Sequence, residues 1–152
     1  MPGLKHVVVR RLAGAALAAA CSLAGAQEFR SIGDPAVITY DGPSVKAKRL
    51  WVLGRGYPVQ VTVAIEGWSK VRDATGELSW VENRTLSSAR TVLVRAQVAS
   101  LREQPADGAT VVLRVARDVV LDLVEPPSGD WVRVRHRDGV TGFVHVNQVF
   151  GL

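Results

Sequence analysis

The sequence predicts an all-β protein: two tandem small β-barrels behind an N-terminal signal peptide. Three observations predict it. Residues 1–26 differ in kind from the rest, residues 27–152 carry one pattern twice, and each copy alternates apolar and polar residues between turn signals.

The N-terminal segment has three parts. Met1 to Arg11 holds Lys5, Arg10 and Arg11 and no acid; Leu12 to Ala26 is almost wholly Ala, Leu and Gly; Ala24-Gly25-Ala26 forms a small-residue exit before Gln27. A basic start, a short apolar run and small residues at the exit describe a secretory signal, here cleaved after Ala26. The apolar run has 15 residues, against the ~18–20 of a membrane span. Cys21, the single cysteine, lies inside this segment and would leave with it. The alternative is a lipoprotein acylated and anchored at Cys21, and membrane attachment is expected only then or if the signal is retained. The first 26 residues hold three basic and no acidic side chains, so the net charge of +5 falls to +2 without them. That excess is too small and too scattered for a nucleic-acid-binding face.

The repeat is legible residue by residue. Gly67-Trp68-Ser69-Lys70-Val71-Arg72 aligns with Asp130-Trp131-Val132-Arg133-Val134-Arg135, and at the same 63-residue offset Gly76 meets Gly139, Trp80 meets Phe143 and Val81 meets Val144. Upstream, Tyr40 to Ser44 meets Arg102 to Ala106 at an offset of 62. The change of offset implies small insertions, one of them at Glu125-Pro126-Pro127-Ser128-Gly129, a surface-loop composition. Domains are expected over 27–87 and 88–152.

Strand signals follow in order. Val59-Gln60-Val61-Thr62-Val63 and Val132-Arg133-Val134-Arg135 alternate as half-buried strands do. Asp138-Gly139 suits a tight hairpin, and Ala74-Thr75-Gly76 is its weaker counterpart. Leu50 to Leu53 reads as a buried strand carrying Trp51 inward. Val71, Val81, Val134 and Val144 are the expected core. The join Ser87-Ser88-Ala89-Arg90 is too short for a flexible linker, so the barrels should touch.

The second copy, with Leu101-Arg102-Glu103-Gln104-Pro105, then Trp131-x-x-Val134 and Gly142-Phe143-Val144, resembles the bacterial SH3-like domain. The first copy is similar in Gly42-Pro43-Ser44, Trp68-x-x-Val71 and Trp80-Val81, and departs with Tyr40 in place of the arginine and Ser79 in place of the glycine. The resemblance implies tandem five-stranded barrels of exported, cell-wall-associated proteins that act as recognition modules.

Candidate ligand contacts are Trp68, Trp131, Tyr40, Arg133, Arg135 and His145. Trp68 and Trp131 each open the penultimate strand and either line a peptide groove or plug the end of their own barrel; an indole supplies a flat apolar face and one N–H donor. Tyr40, beside the Asp41-Gly42-Pro43 turn, is expected partly exposed. Arg133, Arg135 and Arg137 alternate along one face and could meet an anion, offset by Asp73, Asp130 and Asp138. Lys46, Lys48 and Arg49 read as a solvated loop. His136 and His145 are expected to face solvent rather than to hold a metal, since residues 27–152 contain no cysteine and no ligand spacing. No catalytic residues, no metal and no cofactor are expected. The expected partners are peptidoglycan or an envelope protein, in the periplasm or outside the cell; the competing class is a structural subunit of an envelope complex.

Overall fold

The structure, a computed structural model, describes residues 27–152; the expected signal peptide and Cys21 lie outside the described residues. The first half comprises β1 (Glu28–Ile32), β2 (Ala36–Tyr40), β3 (Arg49–Gly54), β4 (Pro58–Ile65), β5 (Trp68–Arg72), β6 (Leu78–Glu82), a 3₁₀ turn at Asn83–Thr85 and β7 (Leu86–Ser87). The second comprises β8 (Thr91–Val94), β9 (Val98–Arg102), β10 (Val111–Ala116), β11 (Val120–Leu123), β12 (Trp131–Arg135), β13 (Thr141–His145), a 3₁₀ turn at Val146–Gln148 and β14 (Val149–Phe150). The strand orders are β3-β2-β6-β5-β4-β1-β7 and β10-β9-β13-β12-β11-β8-β14. They are one topology used twice, as the repeat in the sequence requires. Each sheet has seven strand segments where five were expected, because the chain entering and leaving each unit is drawn into the ladder by β7 on β1 and β14 on β8. Trp68 and Trp131 therefore open the fifth strand of seven, not the penultimate one.

Each sheet wraps its own core. Ile32, Val59, Val71 and Val81 fill the first, and Leu101, Leu121, Val134 and Val144 the second. All four valines expected in the core have no exposed surface, and burying each side chain contributes on the order of 1.5–3 kcal/mol. Trp51 is half-buried and packs against the first core rather than within it. A register shift in the β2–β3 ladder falls between Ile38 and Tyr40. Thr39 repairs it: its hydroxyl accepts from the Trp51 N–H and donates to the Trp51 carbonyl, each at 3.2 Å.

The alternation predicted for Val59 to Val63 fails at its end. A bulge between Val61 and Val63 shifts the β4–β5 register, and the hairpin then projects beyond the barrel, leaving Val63 44% and Ile65 45% exposed. The second unit has no such projection, because β11 stops at Leu123 and the Pro126-Pro127 loop follows.

The two hairpin turns are held by different chemistry at one position. In the first, the buried Asp73 carboxylate accepts from the Thr75 N–H at 2.8 Å, the Thr75 hydroxyl at 2.6 Å and the Glu77 N–H at 3.1 Å. His136 takes that place in the second, with Nδ1 3.0 Å from the Asp138 carboxylate. Asp73 thus builds a turn instead of offsetting the arginines.

The units meet along β1, the join and β14. Thr91 donates its hydroxyl to the Gly56 carbonyl at 2.6 Å, and Ser31 donates to Ala89 O at 2.7 Å. The Phe29 and Phe150 rings stack edge to face at 5.3 Å, with the Arg90 guanidinium 5.7 Å from the Phe29 centroid and its Nη2 donating to Gly151 O at 2.8 Å. Gly151 sits where chains press closest: at φ +118°, a Cβ there would lie 2.6 Å from Thr91 O and 3.0 Å from the Pro58 Cβ.

Candidate functional site

The strands place corresponding depressions in the two domains, one beside Tyr40 and one at Trp131. Both tryptophans start a strand whose next residue points inward, so the indole stays on the outer face, half-buried, while Val71 and Val134 enter the cores. In the first groove the Tyr40 and Trp68 rings meet edge to face, centroids 5.5 Å apart. Trp68 is the register partner of Glu82, and Tyr40 of Trp80. Arg84 grips Glu82 through two hydrogen bonds of 2.8 and 3.0 Å, and this carboxylate raises the guanidinium pKa above its already high ordinary value. Tyr40 is only 7% exposed. The expectation that it would be partly exposed is corrected: its ring packs beside Trp68 instead of standing out on the turn. The depression beside this pair, about 200 Å³, is lined by Ile38, Tyr40, Glu82 and Arg84, and Trp68 lies behind Tyr40 rather than in its lining.

In the second groove, about 230 Å³, the lining includes Arg102, Asp107, Trp131, His145 and Asn147. His145 replaces Glu82 and is the register partner of Trp131, their rings 5.3 Å apart. Its Nδ1 accepts weakly from the Asn147 N–H at 3.4 Å, which puts the proton of a neutral ring on Nε2 as a donor. Arg102 replaces Tyr40 and donates to Ala109 O at 2.7 Å, so the loop holds its fork in place. One depression thus has a tyrosine wall and a rim whose charges already pair with each other. The other offers a guanidinium, an imidazole, an amide and a carboxylate around one indole.

The structure brings Trp131 to His145 and Tyr40 to Trp68, and separates Arg133 and Arg135 from both grooves. Arg133 and Arg135 do share the outer face with Trp131, but Arg133 donates to Glu125 at 2.7 Å with its guanidinium 6.0 Å from the Phe143 centroid, and Arg135 lies 3.6 Å from Asp122. The offsetting acids are Glu125 and Asp122, not Asp130 or Asp73. Neither histidine is solvent-facing as expected: both are partly buried, and they sit at opposite ends of the β12–β13 hairpin. Lys46, Lys48 and Arg49 lie exposed along the β2–β3 connection and the start of β3. Sequence reasoning missed Arg102, Asp107 and Asn147. Arg102 was available as the residue aligned with Tyr40; the other two enter through loop geometry alone.

The bacterial SH3 domain matches this chain twice, over residues 33–88 and 95–151. The chain belongs to the bacterial SH3 domain family. The two matched regions follow the two sheets, so each sheet is one bacterial SH3 domain. No curated protein matches the sequence. Among solved structures, the tandem domains are similar to NlpC2 from Trichomonas vaginalis, at 17% identity over 84% of this chain and 49% of that one, with a TM-score of 0.39. NlpC1 from the same organism is similar at 19% identity over 82% and 45%, TM-score 0.38. An NlpC/P60 family protein from Bacillus cereus is similar at 16% identity over 81% and 56%, TM-score 0.38. The chain spans about half the length of these proteins.

Proposed function

We propose that this pair of bacterial SH3 domains is an exported, non-enzymatic binding module of the cell envelope that engages peptidoglycan stem peptides through the Trp131 groove. The observation that carries the reading is the Trp131–His145 pair with Arg102 and Asp107 beside it. An open indole face with donors and an acceptor at its rim suits an extended peptide bearing carboxylates and amides. The first groove, where Arg84 is already spent on Glu82, serves as the supporting copy. A binding role without catalysis is favoured by chemistry: residues 27–152 hold no thiol nucleophile, and the two histidines are occupied at opposite ends of one hairpin. Family membership and the signal-like residues 1–26 favour the envelope, with Gln27 the first residue after cleavage; intact mass distinguishes this from acylation at Cys21.

Co-sedimentation with purified sacculi tests the proposal. Retention of the protein, reduced about tenfold or more by Trp131→Ala, is expected. Equal retention of that variant, or none of the parent protein, contradicts it. A second reading, a structural subunit of an envelope complex, is favoured by the projecting β4–β5 hairpin, where Val63 and Ile65 stand exposed. Light scattering on native extracts that finds the chain only in a stable large assembly would support it.

A further inference from the structure

A concavity of about 610 Å³ lies between the two barrels, away from Trp68 and Trp131. Arg55 and Gly56, on the turn after β3, form one wall. Asp118, Val119 and Val120, at the β10–β11 turn, and Arg135 to Arg137, at the end of β12, form the other. The walls are held in place by the contacts already described. Thr91, at the base, bonds the Gly56 carbonyl, and Gly56 fits so closely that a Cβ there would lie 3.3 Å from Val120 Cγ1. A cleft fixed in this way is formed before anything enters it.

Its charges are unevenly spent. Arg135 is 3.6 Å from Asp122 and His136 is 3.0 Å from the Asp138 carboxylate. Among the described residues, Arg55, Arg137 and Asp118 make no ion pair within 4.0 Å. Asp118 holds φ +67°, the one residue other than glycine in the left-handed region among the described residues, and its N–H is tied to Val94 O at 2.9 Å. The turn thus presents its carboxylate from a constrained backbone. Two uncommitted guanidinia, one from each barrel, favour a carboxylate, which a guanidinium fork meets with two parallel hydrogen bonds. One uncommitted carboxylate among them disfavours a multiply charged anion and favours an ammonium beside the bound carboxylate. Val119 and Val120 add apolar surface for a short aliphatic group.

We propose that this interdomain cleft binds an amino-acid-type zwitterion, its carboxylate held by Arg55 and Arg137 and its ammonium by Asp118. The proposal rests on the reading of the chain as a binding module but not on the Trp131 groove. It makes the pair of barrels, rather than either one, the unit that recognises a small peptide end or a diamino-acid side chain.

Amide chemical-shift titration of the full chain tests it, with alanyl-alanine, its C-terminal amide, its N-acetyl form and inorganic phosphate as probes. Saturable shifts at Gly56, Thr91 and Val120 are expected with alanyl-alanine. The affinity should fall about tenfold for the C-terminal amide and for Arg55→Ala or Arg137→Ala, each a loss of charge-assisted hydrogen bonds. Asp118→Asn should erase the preference for alanyl-alanine over its N-acetyl form while leaving the fold's spectrum intact. No saturable shift, equal binding of the amide, binding of phosphate as tight as alanyl-alanine, or arginine variants that bind normally would each overturn the proposal. Sacculus retention that depends on Trp131 while the cleft stays silent would remove this inference alone; cleft binding without sacculus retention would remove the other reading alone.

Discussion

The Thr91 hydroxyl, at the first residue of β8, donates to the Gly56 carbonyl of the first domain at 2.6 Å, and Thr91 is buried at that point. One side chain thereby ties the last turn before β4 to the strand that begins the second barrel. Thr91→Val keeps the shape and removes the donor, leaving the Gly56 carbonyl without this partner. The expected loss is about 1–2 kcal/mol, seen as a lower urea midpoint, with Thr91→Ser retaining most of the stability. A midpoint unchanged in Thr91→Val would mean that water replaces the bond freely and that it does not couple the domains.

Gly151 is predicted to be the least replaceable residue of the interface. Its φ of +118° and the 2.6 Å approach to Thr91 O leave no room for a side chain. Gly151→Ala should cost about 1–3 kcal/mol from backbone strain, with further loss from displacing β14. Thermal melting compared with the parent chain checks this. A melting temperature within a degree of the parent's would show that the last residues shift at no cost.

A packing exchange between the copies makes a paired prediction. In the second domain a Cβ on Gly142 would lie 2.9 Å from the Leu101 Cβ. At the corresponding places the first domain has Ser79 and the smaller Thr39, both buried. Ser79 therefore fits, but its hydroxyl has no hydrogen-bond partner among the described residues. Ser79→Ala should be neutral or stabilising by up to about 1 kcal/mol. Gly142→Ser should destabilise by about 1–3 kcal/mol through overpacking. Denaturant melts of the two variants with opposite signs would establish the exchange, and a stable Gly142→Ser would refute it.

Tyr57 is predicted to make the chain lose stability at alkaline pH. Burial raises its pKa most; Asp73 and Asp118 raise it further, against the lowering effect of the Ala74 N–H donated to its hydroxyl oxygen at 3.2 Å. A folded pKa above the unfolded one contributes stability that is complete below the unfolded tyrosine value, about 10, and lost as pH rises through the folded value. Tyr57→Phe should be slightly less stable than the parent at neutral pH, since it lacks the Ala74 bond. It should lose less stability between about pH 9 and 11. Urea melts across that range read the difference; parallel curves would contradict the assigned shift.

Much of this was legible beforehand. The duplication, the valine cores at 71, 81, 134 and 144 and the equivalence of Trp68 with Trp131 follow from local alternation and spacing, because strands bury every second residue whatever surrounds them. The same local rule explains the errors. The bulge after Val61 inserts one residue into the ladder, so alternation reads on past the point where Val63 turns outward. The exposure of Tyr40 was misjudged because the partner that covers it, Trp68, lies two strands away in the sheet and 28 positions away in sequence.

The sequence by itself determined the strand class, the two-fold repetition, the family and the inward faces, since these depend on residue type and near neighbours. Only the tertiary structure decided which charges remain available. Arg133, Arg135 and Arg137 look alike along their strand, but Arg133 and Arg135 meet Glu125 and Asp122, whereas Arg137 and Arg55, the latter unremarkable in sequence, face a common cleft without an ion pair among the described residues. Pairing of this kind depends on how the sheets curl and where the barrels abut, and no periodicity along the chain encodes it.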